Sequence, residues 1–91
     1  MYIGAEVDDD EVFGQMLRYV FGKLPPESII IIAKELSENL SWNILRDKVY
    51  LAILYTSNRY FIPFLKERLE KEKGIVMKQN VQQVIDKLEK G

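Results

Sequence analysis

Apolar residues recur along this chain at helical spacing. Val12, Phe13, Met16, Leu17, Val20, Phe21 and Leu24 fall at i, i+4 and i+8, which predicts a helix to about Phe21 with one wide apolar stripe. Ahead of it, Asp8-Asp9-Asp10-Glu11 offers a cap oxygen and negative charge, and Asp8 with Glu11 has capping-box spacing. Tyr2–Val7 is a short, extended lead-in. Gly22 and Pro25-Pro26 end the first helix. A second begins at Pro25 or Pro26, since proline suits a first helical turn. Ile29, Ile32, Ala33, Leu36 and Leu40 line one of its faces. The four isoleucines at 29–32 also read as a short buried strand, and the helical flank AKELSENL favours helix.

A third helix is expected from Trp42, capped by Asn39 or Ser41, to about Ser57. Trp42, Leu45, Val49, Ala52, Ile53 and Thr56 form one face; Ile44, Leu51, Leu54 and Tyr55 form much of another. An element apolar on several sides packs on more than one flank, so this is the central helix. Thr56-Ser57-Asn58 and Pro63 mark a break. A fourth helix is expected over Pro63–Lys73, carrying Phe64, Leu65, Arg68 and Leu69 and closed by Gly74 at a C′ position. Ile75-Val76-Met77 reads as an apolar connector. Asn80 with Gln83 would then cap a last helix built on Val81, Val84, Ile85 and Leu88. The expected fold is all-α: one domain over residues 1–91, a compact bundle of four to five helices with a short, non-helical acidic arm at residues 1–10.

Composition narrows the chemistry. The 91 residues include no cysteine and no histidine. That excludes disulfides, thiolate zinc sites and cysteine nucleophiles, and with them imidazole bases and imidazole metal ligands. The five glycines are isolated, so no phosphate-cradling loop is present. The carboxylates fall on predicted polar faces beside lysines. Asp47, between Arg46 and Lys48, reads as a paired surface charge, and no carboxylate interrupts an apolar face. Asp8–Glu11 lacks the alternating ligands of a calcium loop. The expectation is a non-enzyme with no catalytic, cofactor or metal residues and no small-molecule substrate. No apolar run approaches the ~20 residues of a membrane span, and no signal peptide is recognisable, so a cytoplasmic protein is expected.

The net charge of −1 conceals an asymmetry. Residues 1–11 carry five acids and no base, whereas residues 41–91 carry ten bases and six acids. Such separation guides association or folds an acidic arm over a basic face. Three helices with wide apolar faces also exceed what one small core can cover. The chain therefore reads as a protein–protein interaction module, a homodimer or bound to another protein, with Ile30, Ile31, Tyr60, Phe61 and Phe64 at the interface. The alternative is a DNA- or RNA-binding regulator. Residues 32–50 resemble a helix-turn-helix in spacing, with Asn43, Arg46, Lys48, Tyr50 and Arg59 as the contact set. Glu38 breaks the apolar pattern of that motif, and the set is thin in positive charge.

Overall fold

The helices alternate in direction because their connections are short. A computed structural model describes residues 9–90, with side chains from Asp10 onward. Among these residues the chain forms five α-helices and no strand: α1 (Asp9–Phe21), α2 (Pro26–Asn39), α3 (Asn43–Thr56), α4 (Ile62–Lys71) and α5 (Ile75–Lys90). A 3₁₀ turn, Arg59–Phe61, leads directly into α4. The bundle is all-α, as expected. Asp9 and Asp10 already belong to α1 and are not part of a non-helical arm; residues 1–8, with the Asp8 cap, lie outside the described residues.

Helix α3 is the hub, packing on α1, α2 and α5, while α4 packs on α5. Asp10 and Glu11 approach Lys48, and Arg18 lies over Tyr55, so α1 and α3 run the same way. Gly14 makes that approach close: a Cβ there would sit 3.1 Å from Cδ of Lys48. The core is built from Leu17 and Phe21 of α1, Ile29 and Ala33 of α2, and Val49, Ala52 and Ile53 of α3. Phe61, Phe64 and Leu65, with Val81, Val84, Ile85 and Leu88 of α5, complete it.

Several boundaries fall as the pattern predicts. Pro26 opens α2, residues 29–33 are helical, and α3 ends at Ser57, whose left-handed backbone (φ 55°) closes it. The Asn58 side chain accepts the N–H of Tyr60 and starts the 3₁₀ turn. The second half departs from expectation. Helix α4 begins at Ile62, before Pro63, and ends at Lys71, with Glu72 extended (φ −71°, ψ 136°). Gly74 therefore does not terminate it, and its φ is not positive. Instead the Gly74 carbonyl accepts the N–H of Lys78, and Ile75-Val76-Met77 is the first turn of α5, not a connector. Asn80 lies inside α5 and caps nothing. Lys78 reaches back from α5 to the Leu69 carbonyl (2.8 Å), so a cation satisfies the C-terminal end of α4.

Candidate interaction surface

Two places in this fold depart from the rule that apolar groups are enclosed and charged ones solvated. The first is a buried cluster of charge. Glu72, whose side chain is 2% exposed, accepts hydrogen bonds from Nε and Nη2 of Arg46, both at 2.9 Å, and from the Tyr50 hydroxyl at 2.5 Å. Arg68, also buried, pairs with Glu72 at 3.5 Å and donates to the Tyr50 oxygen and the Ser37 carbonyl. Arg46 additionally donates to the Leu40 carbonyl and to Asn43. The cluster ties α2, α3 and α4 together at one level of the bundle.

Burial pushes the Glu72 carboxyl upward, but the Arg46 and Tyr50 hydrogen bonds and the charges of Arg46 and Arg68 outweigh it and hold the pKa below the ordinary value. The same carboxylate raises Arg46 through its hydrogen bond. Burial, then the bond to Glu72, raises the Tyr50 phenol. Glu72, Arg46 and Tyr50 are thereby held in their neutral-pH charge states. A general acid or base needs the opposite, a pKa near the working pH and a path to substrate. This cluster is enclosed and saturated with partners, so it holds helices together.

The cluster corrects two sequence expectations. A carboxylate does interrupt an apolar face: Glu72 occupies the next inward position of the Leu65, Arg68, Leu69 stripe. That continuation was the available signal, hidden because KERLEKEK reads as a polar surface. Asp47 is not a surface charge shared with Arg46 and Lys48. Arg46 is taken by Glu72, and Asp47 is half-buried beside Asn80 of α5, where desolvation raises its pKa against the pull of Lys48 and the Asn80 amide.

The nucleic-acid set is also dispersed. Tyr50 is fully buried and Arg46 is engaged in the cluster. Lys48 is drawn toward Asp10 and Glu11, at 3.9 and 3.8 Å. Asn43 and Arg59 alone of the five are exposed. Tyr50 turns inward because α3 is covered on its α2 side, where a recognition helix would have to be bare.

The second departure is apolar surface. Of the residues expected at an interface, Phe61 and Phe64 are core: the 3₁₀ turn packs on α2 and buries Phe61, edge-on to Tyr60. Ile31 and Tyr60 are exposed and Ile30 is half-buried. Trp42, expected in the core, is 67% exposed because it precedes α3 on an extended backbone. The larger surprise is α1. Its single wide stripe divides in two: Phe13, Leu17 and Phe21 turn toward the core, while Val12, Met16 and Val20 join Tyr19 on the outside. Met16 is 61% and Tyr19 68% exposed. Sequence reasoning missed this face because a wide stripe looks the same whether one neighbour or two cover it.

The groove between α1 and α3, lined by Glu11, Gly14, Arg18, Lys48 and Tyr55, holds about 270 Å³, under the range of ligand pockets. Two larger apolar grooves, of about 770 Å³ along Ile30, Ile31 and Leu36 of α2 and about 760 Å³ beside Trp42, Ile44 and Leu45, lie open to solvent. No group of three acidic side chains among the described residues could hold a metal ion. No described helix is long and apolar enough to cross a membrane. The chain matches no protein-family model, no curated protein and no solved structure in comparisons of sequence and fold.

Proposed function

We propose that this chain is a non-enzymatic helical interaction module of the adaptor, regulator or assembly type, working as a homodimer. The observation that carries the reading is the outer face of α1, where Val12, Met16, Tyr19 and Val20 lie in water opposite a second apolar face already used for the core. Exposed apolar residues scattered singly need no explanation, but a contiguous row on one helix marks a contact surface. Ile31, Trp42 and Ile44 add separate exposed apolar positions on α2 and at the start of α3. Against catalysis stand the lack of histidine and cysteine and the saturated state of the Glu72 carboxylate. The cysteine-free, charge-rich composition favours the cytoplasm as its compartment.

Sedimentation velocity over about 1–300 µM tests the reading. The expected result is a shift from the 10.7 kDa monomer toward twice that mass as concentration rises. A monomer throughout that range would sink the homodimer.

A further inference from the structure

We infer that α2 is the self-association element: its outer face, centred on Ile31, pairs with the same face of a second copy, the two helices running antiparallel. The inference rests on the homodimer reading above and assigns its contact and register.

At 3.6 residues per turn, Glu27, Ile31, Lys34 and Glu38 fall within an arc of about 60°, on the side turned away from the buried Ile29, Ala33 and Ser37. Their 4-3-4 spacing is the alternation that keeps one seam turned toward a partner helix. Ile31 is 70% exposed at the centre, and the groove around it is lined by Ile30, Ile32, Lys34, Glu35 and Glu38. Within the chain α2 packs chiefly on α3 and the 3₁₀ turn. The charges of α1 are differently placed: Asp10 and Glu11 approach Lys48, Arg18 lies over Tyr55, and Lys23 lies over Tyr19. On α2 the charges line the apolar face itself.

Those charges select both the occupant and its direction. Glu27 and Lys34 are exposed, and among the described residues neither has an ion-pair partner within 4.0 Å. Glu38 is 3.9 Å from Lys71 of its own chain. Two copies side by side in parallel would set Glu27 against Glu27 and Lys34 against Lys34. Antiparallel, with a two-fold axis between Ile30 and Ile31, Glu27 of each copy meets Lys34 of the other, and the helix dipoles oppose favourably as well. Moving the axis onto Ile31 would bring Glu27 level with Glu35, so charge fixes the register. The isoleucines meet at the axis and supply the burial, while exposed ion pairs add little affinity and chiefly penalise wrong pairings. With Glu27, Glu35 and Glu38 against the single base Lys34, the face repels nucleic acid, whose phosphates need Lys and Arg. A helix of 14 residues is only about 21 Å long. The contact thus belongs at the small end of specific interfaces, and a reversible dimer is expected.

The chain's lack of cysteine makes the register directly testable. Under mild oxidation, Ile31→Cys should form an intermolecular disulfide in high yield, its two copies being offset by only about 1.5 Å along the helices. Glu27→Cys alone should not, because its own copy lies about 10 Å away, beyond disulfide reach. Mixing Glu27→Cys with Lys34→Cys should restore cross-linking. In sedimentation, Glu27→Lys and Lys34→Glu should each weaken dimerisation by about fivefold or more, and mixing the two variants should restore it to within about twofold. Ile31→Glu should weaken it by at least about tenfold while leaving the melting temperature of dilute protein unchanged, since this side chain is solvent-facing in the monomer. Efficient self-cross-linking of Glu27→Cys would show parallel pairing and overturn the proposal, as would charge reversals whose mixture associates no better than either alone. A dimer that tolerates Ile31→Glu but dissociates with Met16→Glu or Trp42→Glu would overturn it too, while leaving the homodimer reading intact. A wild-type protein that stays monomeric would remove both.

Discussion

Glu72 and Met16 stand in reversed positions. The glutamate comes from a run of charged residues and is enclosed by Arg46, Tyr50 and Arg68; the methionine comes from an apolar stripe and stands in water. What separates them is the number of elements opposite each. Glu72 lies where α2, α3 and α4 converge and finds two guanidinium groups and a phenol to replace water. Met16 lies on a helix backed chiefly by α3 and is 61% exposed among the described residues. Burial in this protein is decided by neighbours more than by residue type. A charge can be taken inside when its hydrogen bonds are all met, and an apolar group stays outside when no surface faces it.

The contrast can be broken at several points. The largest effect is expected from Glu72→Ala, which strands Arg46 and Arg68 beside a buried phenol. Losing one partner of an enclosed ion pair costs about 3–5 kcal/mol. In a domain of this size that lowers the melting temperature by roughly 15–30 °C, measurable by circular dichroism. A loss under about 1 kcal/mol would show that water already reaches the cluster.

Acid provides the second test. The folded-state pKa of Glu72 is lowered, so the unfolded chain binds its proton first as pH falls. The stabilisation is complete above the unfolded value of about 4.3 and is lost as pH drops through the lower folded value. Melting temperature should accordingly fall from pH 5 to pH 3, and the fall should be shallower in Glu72→Gln.

Smaller effects sharpen the comparison. The Ser37 hydroxyl is buried without a hydrogen-bond partner, next to a carbonyl that Arg68 engages. Ser37→Ala removes that unmet group and favours the helix, so it should stabilise by about 1 kcal/mol; denaturant titration would detect it. Met16→Gln, on the bare side of α1, should change monomer stability by less than about 0.5 kcal/mol despite removing a large apolar side chain. A loss above about 2 kcal/mol would mean that Met16 is packed in the monomer.

Much of the fold was legible in local signals, and the candidate surface was legible only in part. The prolines place the start of α2, and the apolar density of Val49–Tyr55 marks α3 as the hub. Ser57-Asn58 breaks the chain where a left-handed residue and a side-chain cap were needed. The end of α4 was hidden because Gly74 carries the usual stop signal, while the actual stop is Glu72, turning toward partners on another helix. The aromatic run from Tyr60 to Leu65 resembled surplus apolar surface. A single 3₁₀ turn changes the chain's direction within it, so Phe61, Phe64 and Leu65 enter the core while Tyr60 remains outside.

Sequence periodicity alone determined that the chain is helical, roughly where most helices begin and end, and that its apolar content exceeds one small core. Those properties are local: they depend on spacing, caps and breakers within a turn or two of each residue. Which of two apolar faces is covered, and whether a carboxylate is solvated or enclosed, depends on residues 20 to 40 positions away along the chain. Arg46 meets Glu72, and α3 packs on one side of α1 while Val12, Met16 and Tyr19 on the other stay exposed among the described residues, only because the helices pack in this order. Tertiary structure decided those assignments, since periodicity gives a side chain its direction and only packing supplies what it meets there.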